Sequence, residues 1–151
     1  LFPRFTIPYQ FAAGTALAGV ALLVMAFAAS TTTDGIINGN YIALTYILIS
    51  IAELWVSAIG LSMVGLYCDK HSIAFAMGVW YLASSLAHAI SGRIAAWVAI
   101  PNTVHSAIES LPYYENYYLV LGITAMVLGT LMYLFAYVLQ KFMRKRGVIL
   151  G

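Results

Sequence analysis

The sequence predicts an all-α, polytopic membrane protein with four transmembrane helices, and three observations carry that prediction. Of its 151 residues, 63% are hydrophobic and only 8% charged, with a mean hydropathy of +0.92; so apolar a chain cannot present the polar surface that a soluble domain needs. The apolar residues fall into four runs, about 10–30, 39–68, 72–100 and 115–142. Each is long enough, at about 1.5 Å of rise per residue, to cross most or all of a hydrocarbon core of about 30 Å. Between the runs lie stretches rich in Pro, Gly, Asn, Asp, hydroxyl or charged residues, which interrupt helices and prefer water.

The first nine residues hold Pro3 and Pro8 and read as an entry loop. Gln10 to Ser30 forms the first spanning helix, in which Gly14 and Gly19 reduce side-chain bulk and allow a neighbouring backbone to come close. It is packing material rather than chemistry. The stretch 30–40, STTTDGIINGN, is an aqueous loop. The second helix, 39–68, is followed by the short Asp69, Lys70, His71 turn, so the second and third helices are expected to form a tight antiparallel pair. The third runs from Ser72 to about Ile100, where Pro101 prevents continuation. The segment 101–114 reads as a surface loop, beside which Tyr113, Tyr114, Tyr117 and Tyr118 supply an interfacial aromatic belt. The fourth helix is expected from Glu115 to Phe142.

Basic residues orient the bundle. Arg4, Lys70, Lys141, Arg144, Lys145 and Arg146 share the side of both termini and of the Asp69 turn, whereas Asp34, Glu109 and Glu115 lie on the other. The positive-inside rule therefore places both termini on the cytoplasmic face of the cytoplasmic membrane. The net charge of +2 is not gathered into a cluster suited to nucleic acid. The lone Cys68 excludes an internal disulfide and, with no second Cys or clustered His, gives no metal site. The chain opens on Leu1 with no leader-like segment and reads as a piece of something longer.

Glu53 is the single acidic side chain in the second helix, almost at its centre. A carboxylate there costs several kcal/mol, so the group must face protein or water, carry a proton or hold a cation. Tyr46, Ser50, Glu53, Ser57 and Gly60 recur at steps of four, three, four and three and share one helical face, with Ile, Leu and Val behind them. Two readings stand: a polar front lining a cavity, or a Glu locked into a network between helices. On the third helix Trp80, Ser84, His88 and Ser91 also share a face. Trp80 lies about 13 Å inside the helix end, deeper than the interfacial position usual for Trp; it either walls a pocket or fills a core. Measured from the external ends, Glu53 is about 21 Å deep, His88 about 18 Å and Arg93 only about 10 Å. Arg93 therefore either snorkels outward or bonds helix-end carbonyls, while His88 either shares a proton with Glu53 or stays neutral on a neighbouring backbone group.

Two blocks, Glu53-Leu-Trp-Val-Ser57-Ala-Ile-Gly60-Leu-Ser-Met-Val and, twenty-five residues after Glu53, Gly78-Val-Trp80-Tyr-Leu-Ala, resemble the tenth and eleventh helices of the proton-dependent oligopeptide transporters. Those transporters are members of the major facilitator superfamily. The flanking runs fit the ninth and twelfth helices, so the resemblance covers nearly the whole chain. Ala58 departs from the Pro frequent there, and His88 from a small or amide residue. The resemblance implies four helices of a carboxy-terminal six-helix bundle, with the amino-terminal transporter half as missing partner. It implies di- and tripeptides as substrates, protons as the coupling ion, and no other cofactor or catalysis. Glu53 matches the acid that receives the peptide's amino terminus and Trp80 the aromatic wall beside it. Ser57 and Ser84 match cavity-lining positions. Alternatives are a different facilitator-type carrier, of amino acids or drugs, and a four-helix scaffold subunit without transport.

Overall fold

A computed structural model of the chain describes residues 7–97 and 106–145; Arg4, Pro101, the rest of the 98–105 segment and Arg146 lie outside them. Four helices follow one another: α1 Ile7–Thr31, α2 Gly39–Tyr67, α3 Ile73–Trp97 and α4 Ala107–Lys145. All four are long and apolar enough to cross a membrane, and the chain is an all-α, multi-pass membrane protein.

The polar residues between α1 and α2 end one helix and start the next. The hydroxyls of Ser30, Thr31 and Thr32 donate to the carbonyls of Phe27 and Ala28, at 2.7 to 3.2 Å, satisfying acceptors that a helix end leaves open. Gly35 then turns the chain at φ 75°, a left-handed conformation that side chains resist. A Cβ there would also meet the backbone nitrogen of Ile108 at 3.0 Å, so this loop lies against the start of α4. The Asn38 side chain accepts from the Asn40 amide at 3.0 Å and caps α2.

α1 is the centre of the arrangement, packed against α4 on one side and α2 on the other. Along α1, Tyr9, Thr15, Gly19 and Leu23 meet Gln140, Met132, Met126 and Gly122 in turn, so α1 and α4 run antiparallel. Their seam is lined by small residues: Gly19 faces Met126 and Gly122, and Gly129 faces Ala12 and Ala16. Backbones can approach closely there, which is how helices gain dispersion energy in lipid. The expected packing role of Gly14 and Gly19 holds, because Gly14 admits Val56 of α2 just as Gly19 admits α4. At one end of the seam the buried Tyr9 donates to Gln140 Oε1 at 3.1 Å and packs edge-on against Tyr133.

Three expectations are corrected. α1 already includes Ile7 and Pro8, ahead of the expected start at Gln10. α4 begins at Ala107 rather than Glu115, so 107–114 is helix and not loop. The cause is a Ser-x-x-Glu start: the Glu109 amide donates to Ser106 Oγ at 3.2 Å, and the Ser110 amide to the Ser106 carbonyl at 3.3 Å. Pro112 then forfeits one hydrogen bond without ending the helix. With 39 residues, α4 is about 58 Å long, so its ends extend past the hydrocarbon region. Ser106→Ala should destabilise this first turn by about 1 kcal/mol, read as faster hydrogen exchange at the Ile108 and Glu109 amides; unchanged exchange would show that Ser106 does not cap it.

The third correction concerns α2 and α3, which meet but do not pack along their length. The indole of Trp80 stands between them over Gly60 and holds the backbones apart. No described side chain of α3 is buried.

Candidate functional site on the polar face of α2

At about 100° per residue, α2 divides into three faces rather than the two expected. Thr45, Ala52 and Val56 turn toward α1, where Ala52 and Thr45 are buried and Val56 meets Gly14. Leu44, Ile47, Ile51 and Leu54 form an exposed apolar back, with Leu54 71% exposed. The stripe of Tyr46, Ser50, Glu53, Ser57 and Gly60 lies between these faces. Its upper part is open: Tyr46 is 69% exposed, and Ser50 and Glu53 are exposed as well. Ser57 is half-buried and Gly60 is buried beneath Trp80.

Glu53 therefore projects from the open polar face between Ser50 and Ser57, and no hydrogen bond or ion pair joins it to another described residue. It is not clamped to Arg93. That arginine is exposed and falls two and three turns beyond Leu86 and Leu82, on the outer face of α3 that they share with Phe75 and Val79. This outer face is strongly exposed, Phe75 by 77%.

Trp80 and Ser84 are half-buried on the opposite, inner face of α3, while His88 and Ser91, further along it, are exposed. No bond links His88 to Glu53. Trp80 itself is packed: its ring lies over Gly60 and meets Phe11 of α1 edge to face, with centroids 6.1 Å apart and planes at 89°. The structure thus joins Trp80 to the far end of the stripe. Gly60 is seven residues from Glu53, about 10 Å along the axis. Phe11 is a neighbour that the sequence did not single out, because nothing in the pattern of α1 marks one of its apolar side chains over another. Among the described residues, no group of three His, Cys, Asp or Glu side chains is placed to hold a metal ion. The arrangement offers the Glu53 carboxyl group, the hydroxyls of Ser57 and Ser84 and an indole beside an open polar face, suited to binding a cation that also carries hydrogen-bonding groups.

No protein-family model matches the chain. Among curated proteins it is similar to the dipeptide and tripeptide permease A of Serratia proteamaculans, with 37% identity over 134 residues, 88% of this chain and 26% of the relative. The permease of the same name from Yersinia pestis is 36% identical over 135 residues, 88% of the chain and 27% of the relative. That of Proteus mirabilis is 34% identical over 139 residues, 91% and 28% respectively. The chain spans about a quarter of the length of the curated relatives it matches. Over most of its length the chain is thus similar to a quarter of proteins named dipeptide and tripeptide permease A.

Proposed function

We propose that the chain is part of a proton-coupled symporter of di- and tripeptides in the cytoplasmic membrane, with its termini on the cytoplasmic side. It supplies one wall of a central cavity, as four helices of the carboxy-terminal six-helix bundle of a major facilitator fold. The observation that carries this is Glu53, an acid midway along an apolar helix, exposed and without a cationic partner among the described residues, in a chain homologous to peptide permeases.

The physics of the pairing supports the reading. An ammonium group moved from water into a cavity of low dielectric needs a counter-ion, and a carboxylate there needs a cation, so each offsets the other's desolvation. Glu53 receives the peptide's amino terminus; Ser57 and Ser84 bond its amide groups directly or through water; Trp80 lies beside it. The outward direction of Arg93 leaves that carboxylate to the substrate. His88 lies along the same inner face of α3 and is the candidate proton partner. Alternating access needs two bundles rocking about a shared site, so transport requires the amino-terminal half, which also carries the remaining proton-coupling residues. No step is enzymatic.

Competition for uptake tests the assignment. In the full-length parent, di- and tripeptides should displace a labelled dipeptide, while free amino acids and organic cations should not. If only the latter compete, the carrier is of another kind.

A further inference from the structure

The seat of Trp80 carries an inference beyond the Glu53 stripe. A Cβ built on Gly60 would lie 2.5 Å from Cζ2 and 2.7 Å from Cζ3 of Trp80, and closer still to Cη2. The far edge of the six-membered ring is thus sunk in a notch on α2 that exists only because residue 60 has no side chain. Phe11 braces the same ring from α1. Two helices that pack together therefore hold a ring whose own helix has no buried side chain among those described. Trp80 keeps part of its surface open, and Ser84 follows it one turn along the same face.

We infer that Gly60 and Phe11 are positioning residues: they fix the pose of the Trp80 ring and, through it, the room left beside the Glu53 stripe for the side chains of a bound peptide. This rests on the peptide-cavity reading proposed above. An indole free to rotate about its two side-chain torsions would sweep that space, whereas one pinned at its far edge leaves it open. The atoms a methyl group at position 60 meets first are all distal ring atoms of Trp80, so the strain is relieved by turning the ring out of its notch. The ring then occupies the space in front of Ser57 and Ser84, and bulky side chains are excluded before small ones.

The test uses the full-length parent and its Gly60→Ala, Trp80→Leu and doubly substituted forms, with dialanine and a dipeptide of two aromatic residues competing against a labelled dipeptide. Gly60→Ala should raise the half-inhibitory concentration of the aromatic dipeptide about tenfold or more relative to that of dialanine, at an unchanged amount of protein in the membrane. Adding Trp80→Leu should return that ratio to the value of Trp80→Leu alone. An unchanged ratio, or an equal loss for both peptides that Trp80→Leu does not relieve, overturns the inference. If neither peptide competes in the unsubstituted parent, the peptide assignment has failed instead. The heat-denaturation midpoints of the four proteins then still read the seat: non-additive effects support it and additive effects overturn it.

Discussion

Replacing Glu53 by Gln in the full-length parent is expected to reduce uptake of di- and tripeptides by about a hundredfold or more, with membrane insertion intact. The size follows from what remains after the change. An amide keeps the shape and hydrogen-bonding capacity of the carboxyl but carries no charge, so the peptide's ammonium group would enter the cavity uncompensated. Removing one partner of a desolvated ion pair costs about 3–5 kcal/mol, and each 1.4 kcal/mol or so is a factor of about ten in affinity. Folding should suffer little, because Glu53 is exposed and bonded to no other described residue. Glu53→Asp retains the charge with a shorter reach and should lie between the two. Uptake by Glu53→Gln at the rate of the unsubstituted protein would remove Glu53 from the site, whatever else the cavity does.

The largest structural effect is expected at Gly19. A Cβ there would lie 3.0 Å from the backbone nitrogen of Met126 and 3.1 Å from the carbonyl oxygen of Gly122. Backbone atoms cannot rotate aside as a side chain can, so Gly19→Leu must push α1 and α4 apart and open the seam on which the central helix depends. Ordinary overpacking of a core costs about 1–3 kcal/mol, and a whole isobutyl group against backbone should exceed that. The parent purified in detergent should show a sharply lowered denaturation midpoint. Val20→Leu, one position along and 41% exposed, should leave it unchanged. Equal midpoints for the two variants would mean that the seam does not hold α1 and α4 together.

These two sites differ in how legible they were. Glu53 stands out in the sequence because burial of charge in lipid is so costly that a single acid among apolar residues demands a reason. The small residues of α1 were legible as packing material, but not their partners, since Gly122, Gly129 and Met126 lie more than a hundred residues away and only the antiparallel register pairs them. The start of α4 was missed because Pro101, His105, Glu109 and Pro112 together suggest a loop. The Ser106 cap, six residues before Pro112, outweighs a single lost hydrogen bond. The short Asp69 turn suggested close packing of α2 and α3, yet turn length constrains only the ends of a helical hairpin. Side-chain bulk at the seam decides the rest.

What the sequence determined by itself is the number of spans, their membrane character and the stripe that carries Glu53. Length, hydropathy and a helical period are properties of consecutive residues, and lipid leaves the backbone of an apolar run little choice but a helix. What only the tertiary structure decided is which faces are taken. α1 sits between α2 and α4 because its small residues admit both, Arg93 turns away from the Glu53 stripe, and Trp80 settles over Gly60 against Phe11. Those outcomes depend on how closely two backbones can approach, and that distance is set jointly by residues from distant parts of the chain.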